Sequence, residues 1–557
     1  MILDSTALVE PAMSLESDTS PNQRAPSRGP AVIRISYIWS PLGFISLGIL
    51  VTSIAGLAVH NLGNRYFWTD ESSSFFTALG WPAPGQEPGG LSEIQQTLIT
   101  FLDPGLFHLM IRGWSETFGT SIQSLRSLPF AFFVLYLIAL LLWYRRFRLP
   151  LLVAVAGVSV MMLENITPYY SIELRAYSAS MAAAVVLPLA AVWFMDGLRW
   201  SRLMAFLGIS AFLGAMQYTA ASVNIATGML LLAGLFQERA SGARWRLGIG
   251  AVFTLSWLPL IYLITRGWPS RGAEVDLDHV RNLVLAYMDT TTVLQTLSTN
   301  FVSFTALPRT LFLIAVPAIF LITKAKSLKQ IDKAKPKSPS APLVQLWIYV
   351  AALTGSAALL SAGGFLPWVL GTRWSITEIS GIALSVLGLI VLLRDYAPSA
   401  IRQSALARVV AVAVCITVVL LGSARIWTYE RPGDSQALED LVPVLVSGDP
   451  QFPVVIDYWV FPDTRYWVEY SGEFEASRQA WIDRGAVSTA GFVEAGPAAI
   501  NEFLESSSDR MLLKDTEALG ALAEPLPASV RVIYPREGAL ASPGLESPPV
   551  VLVKEAS

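Results

Sequence analysis

Long apolar runs, separated by short polar stretches, dominate the chain. Each run is roughly 16 to 22 residues, near the length a helix needs to cross the hydrocarbon core of a bilayer. The runs lie at 42–60, 127–144, 149–165, 177–195, 203–219, 221–236, 247–265, 309–323, 343–362, 378–393 and 409–424. They predict about eleven membrane-spanning helices. Gln217 and Tyr218 form the polar break that divides 203–236 into two runs.

Basic residues punctuate alternate connections. Arg145, Arg146 and Arg148 follow the second run, Arg199 and Arg202 the fourth, and Arg239, Arg244 and Arg246 the sixth. Lys324 to Lys337 follows the eighth, and Arg394, Arg402 and Arg408 the tenth. Alternation places them all on one side, which the positive-inside rule makes cytoplasmic. The opposite side, periplasmic or extracellular, receives 61–126, 266–308, everything after 425, and the short loops 166–176 and 363–377. The lysine run reads as a solvated loop that fixes orientation.

Composition sharpens this picture. The chain is 53% hydrophobic and 15% charged, with a mean hydropathy of +0.51. A soluble domain carries about 25% charged residues. A net charge of −3 offers no case for a nucleic-acid partner. The single cysteine, Cys415, excludes an internal disulfide and a cysteine metal cluster. Residues 1–30 are rich in Ser, Pro and Ala without a continuous apolar core, so they read as a disordered cytoplasmic tail rather than a signal peptide. Low lysine with high alanine, arginine and proline usage suggests a bacterial chain, hence the inner membrane.

After 425 the character changes. Short apolar runs at Phe452–Ile456, Arg510–Leu513, Val530–Tyr534 and Val550–Val553 predict strands. Stretches near 496–507 and 515–523 predict helices. The expected fold is an α-helical polytopic membrane protein with interfacial helices in its outer loops and a small C-terminal α/β domain. Its parts are a tail (1–40), a transmembrane module (41–424) and an outer domain (425–557) that braces or lids the bundle. Segments 91–118 and 280–305 are amphipathic and fit helices lying in the interface.

The candidate chemistry gathers on the outer side. Tyr66-Phe67-Trp68-Thr69-Asp70-Glu71-Ser72 follows the first run, and Asp103-Pro104-Gly105-Leu106-Phe107-His108 comes later in the same loop. Leu125-Arg126-Ser127 enters the second run. Ser171-Ile172-Glu173-Leu174-Arg175-Ala176-Tyr177 follows the third, and Gly371-Thr372-Arg373-Trp374 the ninth. Adjacent carboxylates beside a membrane span are costly unless they face water or do chemistry.

In this order, these pieces resemble the glycosyltransferase C superfamily, on its protein O-mannosyltransferase and aminoarabinose transferase branch. The match covers roughly residues 40–235 through Asp70-Glu71, Asp103-Pro104, Leu125-Arg126 and Ser171/Glu173/Arg175/Tyr177. Two elements depart from the family pattern. Asp-Pro-Gly with a following His108 stands where members often have His-Pro-Pro, and Gln217-Tyr218 where many have His-Tyr. The resemblance implies a polyprenyl-phosphate-sugar lipid donor and a glycan, lipid or protein acceptor. It also implies that Arg126, Glu173, Tyr177 and Tyr218 line the substrate site.

Transfer from a lipid phosphate needs a base for the acceptor hydroxyl and positive charge for the leaving phosphate. Asp70 is the candidate base. Arg175 and Arg373 are candidates to grip the phosphate. Glu71 and Asp103 would orient the acceptor or, with Asp70 and His108, hold a divalent metal; no organic cofactor is implied. Simpler roles stand beside these. Asp70 and Glu71 also fit solvated acids or an N-cap to a helix beginning near Ser72. Arg175 and Arg373 also fit interfacial anchors, and His108 a packing residue. A lipid-saccharide flippase and a non-catalytic envelope-assembly scaffold are the competing functions.

Overall fold

The computed structural model describes residues 36–63, 69–82, 86–94, 105–163, 166–217, 219–237, 241–257, 341–362, 376–396, 404–429, 442–447, 453–456, 461–472, 474–488, 500, 503–504, 508, 510–513, 526–534 and 550–554. Its helices in chain order are α1 (Ser36–Asn61), α2 (Thr69–Leu79), α3 (Leu106–Phe118), α4 (Ile122–Arg146), α5 (Leu151–Met162), α6 (Ile166–Ser171) and α7 (Tyr177–Met195). Then come α8 (Trp200–Gly214), α9 (Ala220–Gln237), α10 (Ser241–Leu255), α11 (Ala341–Ala362), α12 (Ile376–Tyr396) and α13 (Ala405–Trp427). Every predicted run except 309–323 overlaps one of them; 309–323, residues 164–165 and 258–265 of the third and seventh runs, and the expected interfacial segment 280–305 lie outside the described residues. The run 203–236 is divided at 217–219 into α8 and α9. The 166–176 stretch is not a plain loop, because it holds the six-residue helix α6.

Among the described residues, 4 helices have the length and composition to cross a membrane: Pro41–Asn61 of α1, and α4, α7 and α13. Their surroundings differ. The α7 span is 78% buried and packs on α4, α8, α9 and α12. The α13 span is only 11% buried and turns Leu406, Val409, Val410, Val414, Leu420 and Leu421 outward. A soluble protein does not leave such a continuous apolar face in water, whereas lipid solvates it. The chain is a multi-pass integral membrane protein. Small residues let the helices approach: a Cβ on Gly422 would come within 2.5 Å of the Ser159 carbonyl oxygen, across the α13–α5 contact.

At the centre of α7, Pro188 lacks the N–H that would bond the Ala184 carbonyl four residues back. Tyr349 of α11 supplies the missing donor, its hydroxyl lying 2.8 Å from that oxygen. Trp143 of α4 donates to the next carbonyl, Val185, at 3.0 Å. In lipid no water relieves a freed carbonyl, so neighbouring helices must.

The C-terminal elements are β1 (Val454–Ile456), α14 (Phe461–Glu469), α15 (Glu475–Arg484), β2 (Ala486–Ser488), β3 (Arg510–Leu513), β4 (Val530–Tyr534) and β5 (Val550–Lys554). They form one mixed sheet in the order β2-β1-β3-β5-β4, with β1 parallel to β2 and β3, and β5 antiparallel to β3 and β4. The four predicted strands are present, the first shortened to Val454–Ile456. The three-residue β2 was not predicted, being too short for an alternating pattern. Of the predicted helices, 515–523 lies outside the described residues, and within 496–507 positions 500, 503 and 504 are helical.

Candidate functional site

The acidic pair does not cap a helix near Ser72. Helix α2 begins at Thr69, so Asp70 and Glu71 occupy its first turn, where the helix dipole favours negative charge. Glu71 is fully buried, as is Arg126 in the first turns of α4. The two meet as a fork: Arg126 Nε donates to Glu71 Oε1 at 3.0 Å, and Nη2 to Oε2 at 2.8 Å. The backbone N–H of Leu174 donates to the same Oε1 at 2.9 Å. Burial of this ion pair is tolerable because geometry and hydrogen bonds offset the desolvation. One carboxylate thus ties together the segments around Asp70, Leu125-Arg126 and Glu173-Arg175.

The third segment makes a tight bend between α6 and α7, in which Arg175 N–H donates to the Glu173 carbonyl at 2.6 Å. Glu173 is buried. Arg175 is partly exposed; its guanidinium lies 5.5 Å from the Tyr177 ring centre, and Nη2 reaches the Tyr177 hydroxyl at 3.4 Å. Tyr177, fully buried, starts α7 and packs on Tyr170, with ring centres 4.8 Å apart. The bend therefore leaves one cation of the motif in reach of solvent and holds it against an aromatic face.

Gly105, at φ +86°, opens α3, a conformation that suits glycine. The Leu106 N–H donates to the Ala215 carbonyl at 3.3 Å, so the chain just after Asp103-Pro104 is tied to the end of α8, beside Gln217. Gln217 Oε1 accepts from Ser180 at 2.5 Å and Thr219 at 3.0 Å. His108 is buried on α3 next to Phe107. Asp103, Tyr218 and Arg373 lie outside the described residues, and Asp70 is described by its helical backbone alone.

The Glu71 carboxylate is already engaged by a cation. Both of its oxygens already face the Arg126 guanidinium in a dry setting, and a second cation there would meet that charge. Among the described residues no group of three or more His, Cys, Asp or Glu is placed to hold a metal.

A cluster absent from the sequence reading flanks this joint. Helix α14 packs against α2. Tyr466 and Tyr470 lie edge-on to Phe75, with ring centres 5.4 and 5.1 Å away. Arg465 sits 4.6 Å from the Phe76 ring centre and pairs with Glu469, both buried. Burial, and then the Glu469 charge, pushes the Tyr470 phenol above its ordinary value, so it is neutral where it packs. The sequence signal available was helical spacing, Arg465 to Glu469 and Tyr466 to Tyr470.

No protein-family model matches the chain, and no curated protein does. Over nearly its whole length it is similar in structure to ArnT. Against the crystal structure of ArnT from Cupriavidus metallidurans bound to undecaprenyl phosphate, identity is 12%, the TM-score 0.46, and coverage 94% of this chain and 99% of that one. Against the apo state the values are 12%, 0.46, 93% and 98%.

Proposed function

We propose that the chain is a membrane glycosyltransferase that moves a sugar from a polyprenyl-phosphate donor to an acceptor hydroxyl or phosphate on the outer face of the membrane, inverting the anomeric carbon. The observation that carries this reading is the buried Glu71–Arg126–Leu174 joint, which gathers three of the motif segments at one end of the bundle. Arg126 lies about 30 Å along α4 from Arg146, at 1.5 Å per residue. That separation matches the hydrocarbon thickness of a bilayer, which supports reading the joint at one membrane surface and Arg146 at the other.

In this reading the acceptor oxygen attacks the anomeric carbon as the bond to the donor phosphate breaks. The electron pair leaves with the polyprenyl phosphate, and the Asp70 carboxylate takes the acceptor proton. The exposed side of Arg175 neutralises the departing phosphate. Glu71, with both oxygens engaged, positions the turn that carries Asp70. Arg126 holds Glu71. Glu173 and Tyr177 shape the bend that presents Arg175, and Asp103, Tyr218 and Arg373 complete the substrate site. No step is routed through a metal.

A flippase would need ionisable groups within its spans. Among the described residues of the bundle, the buried acids and arginine are Glu71, Arg126 and Glu173, all in the joint. The test is sugar transfer from a panel of polyprenyl-phosphate sugars in proteoliposomes, wild type beside Asp70→Asn. Transfer by wild type alone, with donor binding retained by the variant, supports the reading. Equal transfer by both removes Asp70 as the base. Flipping without transfer overturns the enzyme.

A further inference from the structure

Helix α14 contacts α2, which carries Glu71, and the turn that precedes α4, which carries Arg126. On one side it packs on α2, where Phe75 stands one helical turn beyond Glu71 on the same face. Tyr466 and Tyr470 meet Phe75, Tyr470 also meets Phe76 at 5.7 Å, and Arg465 covers the Phe76 ring. On the other side it grips the turn that leads into α4 and so to Arg126. The Tyr466 hydroxyl donates to the Thr120 carbonyl at 2.8 Å, and Thr120 Oγ1 donates to the Tyr470 carbonyl at 3.0 Å.

The gripping residues are anchored in their own unit. Arg465 donates to Glu469 through Nε at 3.0 Å and Nη2 at 3.3 Å. Glu469 also accepts from Trp481 Nε1 at 3.0 Å. Trp81, just past the end of α2, touches both the bundle core and the C-terminal core. It adopts φ +50°, a conformation that costs a bulky residue free energy and persists only where surrounding contacts over-determine it.

We propose that the surface formed by Arg465 and Tyr466 of α14 and by Tyr470 just past its end is a positioning surface for α2. It holds the helix whose first turn carries Asp70 and Glu71, so the C-terminal unit sets the turnover rate without touching substrate. The rate consequence rests on the transferase reading; the hold on α2 does not.

The test uses the full chain in lipid nanodiscs. Tyr466→Phe keeps the ring and removes the bond to Thr120, and Arg465→Met removes the charge over Phe76. Gln479→Ala, on the exposed face of α15, is the control. Amide hydrogen exchange is followed in α2 and α7, beside kcat and KM for the lipid donor. In Tyr466→Phe, exchange in α2 rises and kcat falls by about fivefold, the loss of one hydrogen bond. KM for the donor and exchange in α7 stay put, and Gln479→Ala matches wild type. Unchanged α2 exchange in Tyr466→Phe overturns the proposal, as does faster exchange with unchanged kcat. Should Arg465→Met fail to fold, Tyr466→Phe still decides. A wild type that transfers no sugar overturns the transferase reading, while the α2 exchange contrast still decides the hold.

Discussion

Helix α4 carries a forked arginine–carboxylate pair near each end, and the two behave as different objects. At its start Arg126 binds Glu71, with both side chains fully buried. At its end Arg146 binds Asp196 at 2.6 and 2.9 Å, with 23% and 46% of the side chains exposed. The bond lengths are alike, so geometry does not separate them. Environment does. Water and salt screen the second pair, and its loss leaves two groups that water can solvate. The first pair is wholly buried, so removing either partner takes a bidentate bond from a charge that water cannot reach. A contact list alone would rank them as equals.

Breaking the buried pair should have the largest effect. Glu71→Leu or Arg126→Met should each cost about 3–5 kcal/mol of stability, read as a drop in the unfolding midpoint in detergent. Replacing both together should cost less than the sum of the singles, because no lone charge remains. Single variants as stable as wild type would remove the distinction between the two ends.

The neighbouring carboxylate offers a sharper contrast. Asp70→Asn should reduce transfer by about 10²- to 10⁴-fold, the range for loss of a general base. Its unfolding midpoint should barely move. Asp70 and Glu71 would then be adjacent residues that divide chemistry from architecture. A stability loss in Asp70→Asn as large as in Glu71→Leu would merge them.

Midway along the bundle, Tyr349→Phe should leave the Ala184 carbonyl without its donor and cost about 1–3 kcal/mol. This tests whether a buried, neutral hydrogen bond ranks between the two ion pairs. The smallest effect belongs to the exposed pair: Arg146→Met should cost less than about 1 kcal/mol, and even that should fade in high salt. The Glu71 variants should show no such salt dependence.

The apolar helices were legible because lipid imposes a simple rule on sequence. A crossing helix must be long and apolar, and that is a local property. The break at Gln217-Tyr218 was legible for the same reason. Helices α14 and α15 were not, since both are short and the i, i+4 spacing of Arg465–Glu469 and Tyr466–Tyr470 is too brief a signal to stand out. Nor could the sequence tell which of two adjacent acids would be buried.

What the chain by itself determined is therefore its division into apolar helices and a strand-rich end, and the gathering of its acids and arginines into a few connecting segments. Tertiary structure alone decided that Glu71, Arg126 and Leu174, distant along the chain, share one dry joint, and that α14 seats beside it. Hydropathy acts residue by residue along the chain, whereas an ion pair becomes structural only when folding removes its water.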